Sequence, residues 1–538
     1  MKFMKSFFTT ALLALFIVGC GGSADIVSTP VENIDKTPLK VSDLTEEEEK
    51  SWGHLDLVTD TIPGMSVNKA YSEIIKNRKG ETVIVAIIDS GIDIDHEDLD
   101  DVIWTNKYEI PNNGKDDDGN GYVDDVHGWN FLGETYDEQL EYVRLIASGN
   151  TNHPRFNEAK AELEAEQAKA NGSLARYQQI LEQVQASHKA ISEHLKKEDY
   201  TQEEVNAIST QDPSLLNHVS AVKQMYGFGF DSIPVAIEEL QGGVDYYTER
   251  LSYHFNTEFK GRKTGDDPDD FSQVTYGNNN VKPIKEDESH GTHVAGIVAA
   301  ERNNGIGMNG VANNVKIMAL RAVPNGDEYD KDIALAIRYA VDNGAKVINS
   351  SFGKYYSPHS EQVREAIAYA GSKDVVFVNA AGNEGLDLDG KNVFPNDSFN
   401  NGPEVSETFI RVGALDPKYG SSMVASYSNY GKMNVDVFAP GTSIYSTYPE
   451  NEYKSIPGTS MASPAVAGVA ALVRSYYPNL TAAQVKQIIM DSGLPITTKV
   501  VVGGDATDVR PFDTIVKSGK IVNAYNALIM ASRMAKNK

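Results

Sequence analysis

One cysteine in 538 residues means that no disulfide can form within this chain. Basic residues are also short: 49 lysines and arginines face 76 acidic side chains, for a formal charge of −27, with no long stripe of positive charge. A polyphosphate backbone calls for such a stripe, so a nucleic acid partner is argued against. The apolar run from Phe7 to Val18 falls short of the ~20 residues a membrane-spanning helix needs. What is present is globular material, 41% hydrophobic and 23% charged, with apolar mass for a large core. The acidic balance suits a soluble, weakly self-associating surface and bound cations, and it identifies no substrate. The length allows two or three domains, or one large α/β enzyme with insertions.

Lys2 and Lys5 precede the early apolar run, which ends at Ile17-Val18-Gly19-Cys20. Charge, length and a small residue before the break fit a signal peptide over residues 1–19. The segment resembles the lipobox of bacterial lipoproteins, which implies that Cys20 is lipidated and becomes the mature N-terminus. The expected location is the bacterial cell envelope, anchored by lipid to the membrane (the outer one) and facing the periplasm or the surface. Residues 20–51 are polar, hold Pro30 and Pro38 and carry four consecutive glutamates from Glu46, which reads as a solvated tether.

From Glu81 the chain alternates apolar strands with amphipathic helices. Strands are predicted at Val83–Ile88, Val315–Val323, Val347–Phe352, Val375–Ala380, Phe409–Leu415 and Val435–Ala439. Helices are predicted at His290–Glu301, Asp330–Asp342, Ser360–Ser372, Ser460–Tyr477, Thr481–Asp491 and Lys520–Met534. Continuous Val/Ile runs bounded by Gly, Asn and Asp suit buried parallel strands. The predicted fold is α/β, a doubly wound, mostly parallel sheet formed by residues 52–132 and 286–538. Residues 133–285 break the pattern with much helix and little strand. Leu174, Tyr177, Leu181, Val184, His188, Ile191 and Leu195 make one apolar seam at alternating spacings of three and four. A helical hairpin follows, with His188 packed on its seam. Thr201 with Glu204 reads as a capping box, and Asp212-Pro213 as an N-cap before a helix.

Three segments carry nucleophilic chemistry. Ile87-Ile88-Asp89-Ser90-Gly91 puts a carboxylate at a strand end, His290-Gly291-Thr292-His293 puts a histidine at a helix start, and Gly458-Thr459-Ser460-Met461 puts a serine at another. A hydroxyl becomes a nucleophile when an imidazole removes its proton, and a buried carboxylate fixes that imidazole's tautomer. Alone, Asp89 could cap a turn, and His290 or Ser460 a helix. Together, in the order Asp, His, Ser, they resemble the subtilisin-like (S8) peptidase family over about residues 52–130 and 283–538. The resemblance implies a serine endopeptidase with Asp89, His290 and Ser460 as catalytic triad, acting on protein or peptide substrates through an acyl-enzyme. In Ala380-Ala381-Gly382-Asn383, Asn383 resembles the family's oxyanion-hole asparagine, and Ser351-Phe352-Gly353 its substrate-binding strand. His290 and His293 lack the glutamate and third ligand of a zinc site, so His293 reads as structural. An inactive binding protein of the same fold is the alternative, and a complete set of catalytic residue types argues against it.

The acidic stretch Asn112–Asp125 has oxygen side chains at Asp116, Asp118 and Asn120, then Gly121, an alternation that can point carboxylates at calcium. It begins like an EF-hand but has His127 at the closing position, so Asp124 or Asp125 must complete the shell; a solvated acidic turn is the other reading. The family resemblance implies a second calcium loop at Asn303–Met308, with Asn304, the carbonyls of Ile306 and Met308, and Asp98 as the remote carboxylate. Asp89 and His290 are much farther apart than in the simplest family members. The insertion therefore leaves and returns near the active face and is expected at the rim of the substrate cleft. The stretch from Ser23 to Ser66 is too short for the family's usual folded pro-domain.

Overall fold

The computed structural model describes residues 42–285 and 287–536 continuously, and with them 26, 28–32, 34, 38 and 40. The signal segment and Cys20 lie outside the described residues. Nine strands make one sheet: β1 Val83–Asp89, β2 Gly128–Asn130, β3 Val315–Arg321, β4 Val347–Ser350, β5 Val376–Ala380, β6 Phe409–Leu415, β7 Val437–Pro440, β8 Leu494–Pro495 and β9 Lys520–Ile521. Their spatial order is β8-β9-β7-β6-β5-β4-β1-β3-β2, parallel throughout except β8 against β9. Alternate residues of a strand face opposite sides. Val83, Val85 and Ile87 therefore enter one apolar layer with helix residues such as Val294 and Val466, while Ala86 and Ile88 enter another with Ile337 and Ile367. Helices cover both faces, as the unbroken Val/Ile runs require.

β1 pairs with β3 on one side and β4 on the other, so the winding reverses at β1. A crevice opens at the carboxyl ends there, the place where such sheets bind ligands. Asp89 is the last residue of β1.

Two expectations need correction. The predicted helix from Lys520 begins only at Ala524, because Ile521 pairs with Phe438 of β7 and Asn523 caps the helix through its Oδ1 to Asn526 N, 2.9 Å. The stretch 20–51 is not a solvated tether where it is described. Val31 and Ile34 are buried, and the Asn526 amide clamps Val31 N–H and carbonyl at 2.8 and 3.1 Å. Glu46–Ser51 forms a short helix with a Thr45/Glu48 capping box. Its four glutamates lie against the positive end of the helix dipole, which favours helix over coil.

The insertion is built on a 40-residue helix, Phe156–Leu195, against which Pro213–Gly227 and Ile233–Glu249 pack around Val184, Ile191, Val222 and Ile233. His188 is a packed residue whose Nδ1 meets Tyr200 Oη at 2.9 Å, and the Thr201 box and Asp212 cap both form. The insertion leaves after Asn130 and returns at Asn278, and these two residues pair with each other. Arg321, the register partner of Asp89, is fully buried and locks the exit. Its guanidinium donates to the carbonyls of Ser90 (2.9 Å), Gly133 (3.0 Å) and Thr135 (2.8 Å) and is ion-paired with Glu288, just before His290.

Candidate active site

The Asp89 Oδ1 accepts from Ser90 N–H at 2.8 Å and from His290 Nδ1 at 2.7 Å; Oδ2 is buried with no partner among the described residues. A carboxylate only accepts, so Nδ1 carries the proton and the lone pair of neutral His290 lies on Nε2. Burial pulls the His290 pKa down, but the Asp89 charge and hydrogen bond outweigh it and the value ends above the ordinary 6.5. Any activity that needs neutral His290 must then rise with pH through a pKa above 6.5. A kcat/KM profile should show its acid limb there, and a limb at or below 6 would contradict the Asp89–His290 coupling. His293 is buried with its pKa lowered to about 4, chiefly by burial, and Nε2 meets the Lys454 carbonyl at 3.0 Å; it is structural.

Ser460 is the second residue of the helix Thr459–Tyr476. Its Oγ donates to the Ser351 carbonyl at 3.0 Å, and Ser351 Oγ donates to the Ser460 carbonyl at 2.8 Å. Among the described residues no hydrogen bond joins Ser460 to His290. The hydroxyl must leave the Ser351 carbonyl before the imidazole can take its proton, and sites without substrate commonly tighten in this way on binding.

Asn383 follows β5. Its Oδ1 accepts from Thr459 N and Oγ1, both at 2.9 Å, which turns Nδ2 outward. Neither Asn383 Nδ2 nor Ser460 N has a partner among the described residues. A Cβ built on Gly458, φ 153°, would lie 3.6 Å from Ser460 N and 3.7 Å from Asn383 Nδ2. Two free donors thus flank one spot that a side chain at 458 would occupy. Thr459 as the orienting residue was missed from sequence, although it sits inside the serine motif.

A cavity of about 220 Å³ opens beside Ser460, with walls from Ser351-Phe352-Gly353, from Gly382–Glu384 and from Gly326–Glu328. Gly353 is exposed, and no hydrogen bond among the described residues uses its N–H or carbonyl. The opposite wall is reinforced from behind by the insertion. Asn325 exchanges bonds with Tyr136 O and Glu138 N, both 2.8 Å, and Asp327 N reaches Gln139 O at 3.4 Å. Gly326, in the bend between these contacts, lines the cavity, and no hydrogen bond among the described residues uses its N–H or carbonyl. Residues 136–139 of the insertion thus stand behind this wall, and the cavity itself is lined by residues outside the insertion.

The acidic loop differs from expectation in its details. Asp116 accepts the N–H groups of Gly119, Asn120 and Gly121 at 2.7–3.1 Å. Asp124 accepts those of Asn113 and Gly114 at 3.0 and 2.8 Å. Both hold the loop's own backbone, so neither is turned to a shared centre. The carboxylates that converge are Asp118, Asp125 and Glu109, with ligand atoms within 4.8 Å of one another. Asn120 and Asn106 reach into the same group, each to Asp118 and Asp125. Glu109 was not foreseen. It is 7% exposed, and its Oε2 is buried without a partner among the described residues. Three converging carboxylates, one with an orphaned oxygen, fit a hard divalent cation, while the two asparagines turn their NH2 groups toward Asp118 and Asp125. At the second loop, Asp98 and Asn304 do come together: Asp98 accepts from Asn304 Nδ2 at 2.7 Å and from Met308 N at 3.1 Å. Both Asp98 oxygens are thus already hydrogen-bonded, and among the described residues no group of three carboxylate or histidine ligands forms there.

A profile of the subtilase family matches residues 80–512. A thermophilic serine proteinase of Bacillus sp. (strain AK1) is 42% identical over 241 residues, 45% of this chain and 52% of its own. Thermitase of Thermoactinomyces vulgaris is 43% identical over 187 residues, 35% of this chain and 61% of its own. Subtilisin DY of Bacillus licheniformis is 41% identical over 198 residues, 37% of this chain and 67% of its own. The matches thus span roughly half to two thirds of these relatives' length. The paired Asp89 and His290 and the serine motif at a helix start all lie within the matched residues, and the chain belongs to the subtilase family.

Proposed function

We propose that the protein is a serine endopeptidase using Ser460 as nucleophile, His290 as general base and acid, and Asp89 as the group that orients and stabilises the imidazole. The carrying observation is the 2.7 Å Asp89–His290 bond together with two free donors around Gly458. An extended peptide lies between the free backbones of Gly326 and Gly353, a form of strand addition. Ser460 Oγ attacks the scissile carbonyl carbon as its proton passes to His290 Nε2. The carbonyl oxygen, now an anion, takes hydrogen bonds from Ser460 N–H and Asn383 Nδ2. The C–N bond then breaks as His290 returns the proton to the leaving amine, and water, activated by the same imidazole, hydrolyses the ester. Hydrolysis of an unfolded protein such as casein at internal bonds tests this reading. Release of terminal residues only, or no hydrolysis, would contradict it.

The Glu109, Asp118 and Asp125 group would hold calcium, which ties the Asn112–Asp125 loop to the segment before it. A ion bound only by the folded state stabilises by mass action, about 2.7 kcal/mol at a hundredfold excess over Kd. Chelation should lower the thermal midpoint, and Glu109→Gln should remove most of that response. An unchanged midpoint with excess chelator would contradict the site.

The lipobox-like run supports attachment of the mature chain to the cell envelope through Cys20. Cys20→Ser should move the protein from the membrane to the soluble fraction with peptidase activity retained. Persistence in the membrane fraction would contradict lipid anchoring.

A further inference from the structure

Beside the catalytic cavity lies a larger groove of about 1230 Å³, between the base of the insertion and the body. Tyr355 lines both spaces, so the groove begins where the catalytic cavity ends. The direction of a bound substrate decides which part reaches it. The leaving amine must receive its proton from His290, so the leaving half lies on the His290 side. The acyl half lies along Ser351–Gly353, and the chain continues from Gly353 through Lys354 to Tyr355, from cavity wall to groove wall.

That wall is fixed before any ligand arrives. Lys354 is buried and bonded to Glu141 of the insertion at 2.7 Å, and Arg155 donates to the Tyr355 carbonyl at 2.7 Å. Preorganised surfaces lose less freedom on binding. The charges of the groove are uneven. Glu158 is paired with Arg155, Asp269 is bonded to His359, Glu141 is paired with Arg144, and Lys354 is shared between Glu141 and Asp330. Lys260 and Lys391 are exposed and form no ion pair among the described residues, and Lys391 sits 4.3 Å from the Tyr355 ring centroid at the junction of the two spaces. In a chain of net charge −27, two exposed ammonium groups that form no ion pair, with Glu158 the nearby carboxylate that Lys391 acts on, favour a carboxylate ligand beside the cleft. Phe399, 48% exposed on the far rim, offers an apolar contact.

We propose that this groove binds the stretch of polypeptide substrate upstream of the scissile bond and selects acidic sequence there. The proposal rests on the peptidase reading, and its test is built to separate the two. Three fluorescent peptides share one four-residue core before the scissile bond. One stops there, one is extended on its amino side by six residues containing Asp, Glu and Phe, and one by six containing Lys and Phe. Binding to Ser460→Ala protein, read by anisotropy, needs no catalysis. The acidic extension should bind about tenfold tighter than the bare core and the basic extension, and the gain should shrink with salt. In protein carrying Lys260→Glu and Lys391→Glu the ranking of the extensions should invert. With Ser460 restored, the same substitutions should leave turnover of the bare core unchanged and move KM, not kcat, for the acidic peptide. Equal binding of all three peptides would overturn the groove proposal, as would a preference unaffected by the lysine changes. Graded binding in a protein that hydrolyses none of them would instead remove the peptidase reading and leave the groove standing.

Discussion

Ser460→Ala, His290→Ala and the double variant are expected to be about equally inactive. The reason is that the two groups act in one event: the hydroxyl is a poor nucleophile with its proton, and the imidazole has no task without the hydroxyl. Removing either removes the whole proton-coupled attack, so removing the second costs little more. In subtilisin, a relative and the source of the figure, each such loss lowers kcat by about 2 × 10⁶. A loss of that order is expected here for each variant, measured on one peptide under saturating conditions. What remains should come from the oxyanion donors and substrate alignment alone. Multiplying losses in the double variant would mean that Ser460 and His290 serve separate steps. The present bond from Ser460 Oγ to the Ser351 carbonyl makes the test sharper, because it shows the hydroxyl with a second acceptor available.

Asn383→Ala should lower kcat by about 10² to 10³ while leaving peptide affinity nearly unchanged, a magnitude that comes from the corresponding subtilisin asparagine. On the proposed mechanism the amide acts on charge that develops after binding, so the ground state would not feel its loss. Thr459→Val should give a smaller loss of the same kind, since it removes one of the two bonds that turn Nδ2 outward and keeps the side chain's size. Gly458→Ala should also lower kcat, because the new methyl would stand in ordinary contact with both donors, in the space between them, and the residue would have to hold a φ of 153°. A rise in KM with kcat intact for Asn383→Ala would place the residue in ground-state binding instead.

The sheet, and the polar residue that ends its first strand, were readable from sequence for one physical reason. Strands buried on both faces are continuous apolar runs, and the polar residue that ends such a run, Asp89 after Ile87-Ile88, stands out against it. Helix starts were readable where a side chain caps them, as at Thr201 and Asp212. Features resting on distant contacts left no local trace. β2 is three residues long and has no apolar run. Its Gly128 is needed because a Cβ there would meet the Ala319 carbonyl oxygen at 1.9 Å, and nothing near Gly128 in the sequence announces that neighbour. Glu109 lies before the acidic loop, and its membership of the oxygen cluster depends on a fold-back that spacing alone does not fix. Asp124 and Asp125 are adjacent, and only the left-handed backbone at Asp124, φ 54°, decides that Asp125 turns inward. Arg321 lies inside the predicted strand Val315–Val323 with nothing nearby to single it out, yet it is a fully buried cation that binds the insertion's exit to the neighbourhood of Asp89 and His290.

The central claim is that Ser460 is a nucleophile activated by His290. The direct measurement is reaction of the intact protein with a fluorophosphonate, followed by mass spectrometry of the modified peptide. The account predicts a single adduct on Ser460, formed at a rate that rises with pH through a pKa above 6.5, slowed in Asn383→Ala and absent in His290→Ala. No adduct on Ser460 in folded protein, or an adduct formed equally fast without His290, would contradict it.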